Sequence, residues 1–317
     1  AIAGILTVAS LFVLVRLLFQ SIPLALLSSF ILTVSPWHIH ISRVESESNV
    51  AILFITLGTI LFLGALLRKR TLWLTFSGMF FAATYYTYHG NHIFTTLYAA
   101  GLLFLYRKEV FQVPRWMVAA IVPLFLVTII LIFTLFSANK TKISGIGIFG
   151  NPTVVHERIE LHRLVHTDPS SLLSRIIHNK PIFALITIGQ NYLKSYSPEF
   201  LFIKGGSNHA HNIEGYANMH LFESIFLLVG IAYALMAIKK RQYALVIVWL
   251  LAAGVAPAIT KDAPHSNRMF AITPALAIAV ALGMQYALSL IGVKWKKFLP
   301  IIITLLYIGS LVLFSDA

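Results

Sequence analysis

The stretch Ile22–Arg70, IPLALLSSFILTVSPWHIHISRVESESNVAILFITLGTILFLGALLRKR, decides how the chain is read. Two long apolar runs flank a polar connection, SPWHIHISRVESES, and the second run stops at the basic triplet Arg68-Lys69-Arg70. A run of roughly 20 apolar residues is what a helix needs to cross a hydrocarbon core about 30 Å thick. The connection holds His38, His40, Arg43, Glu45 and Glu47, an unusual density of ionisable groups for so apolar a neighbourhood.

The same alternation runs through the whole sequence. Of its 317 residues, 58% are hydrophobic and only 11% charged, against about a quarter charged in soluble domains. The mean hydropathy is +0.83. This composition excludes a soluble globular domain and predicts an all-α, polytopic transmembrane bundle. The net charge of +13 would suggest nucleic acid in a soluble protein. Here the basic residues sit at the ends of apolar runs, so they set membrane orientation and no nucleic-acid partner is expected. There are no cysteines, which excludes disulfides and thiolate chemistry.

About ten runs approach spanning length, near 2–19, 22–35, 49–67, 72–88, 92–106, 116–136, 218–238, 242–258, 269–290 and 298–314. They divide the chain into transmembrane helices over 1–136, a small and mostly helical extracytoplasmic segment over 137–217, and transmembrane helices over 218–317. Short helices are expected near 170–178 and 181–195. The chain begins inside an apolar run, at Ala1, and is read as a fragment of a longer protein.

Calling the side of Arg68-Lys69-Arg70 inside, alternation places 13 basic residues in short inner loops and three, Arg43, Lys261 and Arg268, in short outer ones. That asymmetry obeys the positive-inside rule. On this map all 12 histidines and every acidic residue except Glu109 lie on the outer side. One face collects the groups able to accept or relay protons near neutral pH.

Four outer stretches carry the candidates. In SPWHIHISRVESES an extended backbone would turn His38 and His40 the same way. Arg43 can grip a phosphate, and Glu45 or Glu47 can take a proton or bind a hard cation such as Mg or Mn. The plainer alternative is a solvated interfacial loop with Trp37 as a belt anchor. In YYTYHGNHIF, residues 85–94, His89 and His92 can face a polar cavity, although three tyrosines at a helix end are most often an aromatic belt. In GGSNHAHNIEG, residues 205–215, His209 and His211 form a pair without the partner spacing of a zinc motif. In TKDAPHSNR, residues 260–268, Lys261, Asp262, His265 and Arg268 precede an apolar helix. A guanidinium at headgroup depth suits a lipid-linked phosphate; the alternative is an arginine snorkelling to ordinary headgroups. Glu223, one turn into its run, is the main intramembrane charge.

Taken in order, SPWHIHISR, YYTYHGNHIF, SPEFLFIKGGSNHAHN with LFESIFLLVGI, and TKDAPHSNRMFAITPALAIAVALGM resemble bacterial membrane glycosyltransferases of the C superfamily. These are the dolichyl-phosphate-mannose–protein mannosyltransferase-like and aminoarabinose-transferase-like proteins, of the glycosyltransferase family 39 type. The resemblance implies a multi-pass protein of the cytoplasmic membrane with an extracytoplasmic site. It implies transfer of a sugar from a polyprenyl-phosphate donor to a protein or glycolipid acceptor. Arg268, Lys261, His265 and Arg43 would hold the donor phosphate, and Glu45 or Glu47 would act at the reacting centre. The family's main catalytic acid belongs to a first outer loop expected upstream of residue 1, so the fragment is expected to be inactive alone. The Asp expected after the arginine of the second outer loop is not present. A transporter or flippase for a lipid-linked sugar is the alternative, and a non-catalytic membrane scaffold the third reading.

Overall fold

The computed structural model describes residues 1–44, 46–110, 112, 147–164, 171–206, 208–213, 215–290, 292 and 298–315. Among them the chain is helical, without a strand beyond one isolated bridge, Gly147 to Thr260. The first hairpin pairs α1 (Ile2–Phe19) with α2 (Ile22–Val34). Gln20 closes α1 in the left-handed region at φ 53°, and Ser21 caps α2 by accepting from the Leu24 amide at 3.3 Å.

The polar connection is where structure departs from the sequence reading. Pro36 cannot donate to the α2 ladder, so α2 stops there. The Ser35 hydroxyl accepts from the His38 amide at 3.4 Å and opens a new helix, α3 (Pro36–Arg43), bent 59° from α2. The expected extended loop is therefore a helix. Residues two apart on a helix point to different sides, so His38 and His40 do not share a face. Nor is Trp37 a belt anchor. It is 2% exposed and packs edge-on against Phe200, with centroids 5.6 Å apart.

Next come α4 (Glu47–Arg68), α5 (Thr71–Thr87), α6 (Asn91–Leu105) and α7 (Arg107–Val110). The 137–217 region contributes α8 (Pro152–Leu164), α9 (Leu172–Ile177) and α10 (Lys180–Ser195). The C-terminal part holds α11 (Glu223–Met236), α12 (Arg241–Ala253), α13 (Val255–Ala258), α14 (Ser266–Met269), α15 (Thr273–Leu290) and α16 (Phe298–Ser315).

Among the described residues, four helical stretches are long and apolar enough to cross a membrane: Ile2–Phe19, Glu47–Arg68, Arg241–Ala258 and Ser266–Leu290. The bent α2–α3 pair makes a fifth. Three others, Asn91–Leu105, Glu223–Met236 and Pro300–Phe314, are apolar but shorter, so the described helices account for four or five of the ten expected spans by length. The expected run at 116–136 lies outside the described residues. Exposed Ile5, Leu26, Ile225, Leu228 and Leu305 present an apolar exterior that suits lipid rather than water. Buried Thr7, Ser28, Thr56 and Thr59 return their hydroxyls to carbonyls four residues earlier, which satisfies them without water.

α15 is the centre of the bundle, buried without a break from Thr273 to Met284. A helix apolar all round belongs inside. It lies so close to α11 that a Cβ at Gly230 would overlap the Ala279 carbonyl, and one at Gly283 the Phe226 carbonyl. Glu223, 1% exposed, is fully partnered: it accepts from the Tyr307 hydroxyl at 2.7 Å and from the His220 amide at 3.1 Å. It ties α11 to α16.

Candidate functional site

The site grows from the N-terminal end of the central helix. Before α14 the loop Thr260–His265 turns back, and the His265 Nδ1 accepts from the Arg268 amide at 3.4 Å, capping the short helix. Ser266 and Asn267 are buried beneath it. The Asn267 carbonyl oxygen accepts from the Ser46 hydroxyl at 2.8 Å and also from the Ser48 hydroxyl. These two serines flank Glu47, so the first turn of α4 is fastened to α14 with Glu47 between the fasteners.

Arg268 is only 12% exposed. One guanidinium nitrogen donates to the Thr260 hydroxyl at 2.8 Å, and the other lies 3.4 Å from the Asp262 carboxylate. Tyr88 closes the other side. It follows the last turn of α5 in an extended conformation, φ −147°, which frees its ring from the helical period. Its phenol lies within reach of the Arg268 and Asn267 side chains and in the field of Glu47. A Cβ at Gly90 would overlap the Tyr88 ring, so the glycine makes room for it.

Imidazoles line the remaining side. His211 faces His265, with centroids 5.4 Å apart, and lies in the fields of His40 and Arg268. A ring nitrogen of His40 bonds to the Ala210 backbone. Burial, then the Arg268 charge and His211, hold the His265 pKa down at about 4. Burial, then His40 and Arg268, lower that of His211 too. Both rings are neutral near pH 7, so Arg268 carries the fixed positive charge of this pocket.

The His265 shift makes a stability prediction. Its folded pKa lies below its unfolded value, so the unfolded chain takes up the proton first. The contribution is present above about pH 6.5, the ordinary histidine value, and is lost as pH falls toward about 4. A melting-temperature series should decline across that window. His265→Asn keeps an acceptor for the Arg268 amide and should flatten the decline; an unaltered slope would remove His265 as its source.

The other candidates lie elsewhere or act differently. His38 is buried and stacks on Phe270 at 6.1 Å, a packing role. Buried His92 bonds the Tyr85 carbonyl through Nε2 at 2.8 Å, and exposed His89 sits beside it at 5.3 Å. Arg43 is exposed at the end of α3. Lys261 is exposed on the rim of a neighbouring cleft. Glu45 and the side chain of His209 lie outside the described residues. Among those described, no three carboxylates or imidazoles converge as a metal ion needs.

Tyr88, Asn267, Ser46 and Ser48 escaped the sequence reading. Tyr88 looked like one of three belt tyrosines, and the serines carried no signal beside the charged residues of their loop. The only hint was the break at Gly90, which ends the helical period two residues after Tyr88.

No protein-family model matches the chain, and no curated protein matches it in sequence. Two solved structures share its fold. One is the archaeal oligosaccharyltransferase AglB from Archaeoglobus fulgidus, in complex with an inhibitory peptide and a dolichol-phosphate. It superposes over 99% of this chain and 43% of its own length, with a TM-score of 0.57 and 14% identity. The other is an Archaeoglobus fulgidus oligosaccharyltransferase in the apo form, with 99% and 44% coverage, a TM-score of 0.53 and 16% identity. The chain thus spans less than half the length of these neighbours. The likeness is one of fold: this helical arrangement is shared with the matching part of both oligosaccharyltransferases. Both neighbours are archaeal oligosaccharyltransferases, whereas the motifs resemble the bacterial mannosyltransferase-like and aminoarabinose-transferase-like branch.

Proposed function

We propose that the chain is part of an integral-membrane glycosyltransferase that moves a sugar from a polyprenyl-phosphate donor to an acceptor on the extracytoplasmic side. The observation that carries this is Arg268: a largely buried guanidinium at the outer end of the central helix, beside a phenol and a carboxylate. A shielded guanidinium can hold a phosphate by charge-assisted, two-pronged hydrogen bonds. The donor's prenyl tail lies in lipid along the exposed apolar helix faces, and its phosphate meets Arg268 with the Tyr88 hydroxyl as a second donor. Glu47 takes the proton from the acceptor nucleophile. The bond from the anomeric carbon to the phosphate oxygen breaks as the bond to the acceptor forms, and Arg268 holds the charge left on the phosphate. His265 positions Arg268 by capping its helix. Arg43 and Lys261 add cations at the rim. The dolichol-phosphate and peptide bound to the archaeal neighbour support a lipid-phosphate donor and a peptide acceptor. The 13-to-3 split of basic residues supports a multi-pass protein of the cytoplasmic membrane with this face outward.

Full-length protein in proteoliposomes, given a radiolabelled polyprenyl-phosphate sugar and acceptor peptides or glycolipids, tests the reading. A new glycosidic bond is the expected result; label that crosses the bilayer without one would identify a flippase instead. Glu47→Gln should slow transfer by roughly 10²–10⁴-fold, the range of a lost general base, with donor affinity unchanged. Transfer at the native rate would dismiss Glu47 as the base.

A further inference from the structure

Beside the Arg268 cluster lies a cleft of about 700 Å³ between α8, α10 and the 260–263 loop. Its size falls in the roughly 300–1,000 Å³ range of small-molecule sites. Its walls are tied together through backbone groups. The Ile148 amide donates to the Ile259 carbonyl at 3.2 Å, and the Asn191 side chain donates to the Ala258 and Thr260 carbonyls at 3.1 and 2.9 Å. Arg163 donates twice to the His178 carbonyl, at 3.0 and 2.8 Å, joining α8 to the end of α9. The cleft is preformed.

Its charge is lopsided. Arg158, Lys194 and Lys261 line it against the single carboxylate of Asp262, among the described residues. That carboxylate already faces Arg268 at 3.4 Å. None of the three cations has an ion-pair partner among the described residues. Gln190 and Thr187 add neutral hydrogen-bonding groups, and Phe183 and Ile159 an apolar floor. Cations, amide and hydroxyl over an apolar patch are what an acidic sugar needs. Its hydroxyls take the neutral groups and its carboxylate the cations.

Asp262 belongs to both sites: it lines the cleft and touches Arg268. Asp262 thus sets the cleft directly beside the Arg268 guanidinium. We propose that the cleft binds an anionic saccharide, a uronic acid or similarly charged sugar, as the glycan part of the donor. Assigning that saccharide to the donor rests on the glycosyl-transfer reading; the preference of the cleft for an anionic sugar does not.

The test uses soluble probes on the full-length protein in nanodiscs: a glucuronate-containing disaccharide and its neutral glucose-containing counterpart, by calorimetry at low salt. The acidic disaccharide should bind roughly tenfold more tightly, a preference that fades as salt screens it. Arg158→Gln with Lys194→Gln should abolish the preference. Arg268→Ala should lose polyprenyl phosphate and keep the preference, which separates this site from the phosphate pocket. Equal affinity of the native protein for both sugars, or a preference that survives the double substitution, overturns the proposal. So does an acidic peptide that binds more tightly than the disaccharide with the same dependence on Arg158 and Lys194, because the cleft would then belong to the acceptor.

Discussion

Arg268→Ala should weaken binding of a polyprenyl phosphate by about 30-fold or more while the protein stays folded. Truncating one partner of a buried, charge-assisted contact costs about 2–5 kcal/mol, and each 1.4 kcal/mol is about tenfold. The fold tolerates the change because the partners left behind are provided for. The Thr260 hydroxyl also donates to the Pro257 carbonyl at 2.7 Å, and the Asp262 side chain is 48% exposed and solvated. Arg268→Lys keeps the charge but loses the planar fork, so it should fall between the two. The measurement is a dissociation constant in nanodiscs beside a melting temperature. Native affinity in Arg268→Ala would refute the phosphate assignment; a collapsed melting temperature would instead mark the arginine as structural.

Gly283→Ala should be among the most damaging single-methyl changes in the chain, with a cost of about 3 kcal/mol or more. A Cβ there would meet the Phe226 carbonyl, and a Cβ at Gly230 would meet the Ala279 carbonyl. Both obstacles are backbone, so relief requires α11 and α15 to separate along their contact. Small residues at helix crossings in membranes serve this close approach. Gly309→Ala in α16 is the control, since nothing lies within 4 Å of the added Cβ. Helix propensity alone rates both substitutions as gains of about 1 kcal/mol. Unfolding titrations in detergent should show Gly283→Ala strongly destabilised and Gly309→Ala unchanged or slightly improved. Equal behaviour of the two would contradict the packing of α11 on α15.

These glycines mark where the sequence stopped being informative. Gly283 and Gly309 look alike in an apolar run, and only the helix that passes Gly283 tells them apart. Trp37 and Tyr88 show the same limit. Each sits at the end of an apolar run, the position of a belt residue, yet Trp37 packs on Phe200 and Tyr88 turns toward Arg268. Likewise, His38 and His40 invited pairing by their spacing, and Pro36 started a helix that separated them. Arg268, by contrast, was legible beforehand, as a guanidinium at the mouth of a long apolar run.

The sequence by itself determined an apolar, helical chain suited to a membrane. Hydropathy and charge are properties of each segment alone, and transfer into lipid acts on segments one at a time. The tertiary structure decided which segments touch: that Ser46 and Ser48 clasp Asn267, that Tyr88 reaches Arg268 within the field of Glu47, and that a charged cleft opens beside them. Inside lipid, helices gain little from hiding apolar surface, so shape and a few hydrogen bonds select the neighbours. Those belong to pairs of distant residues and cannot be read from one segment.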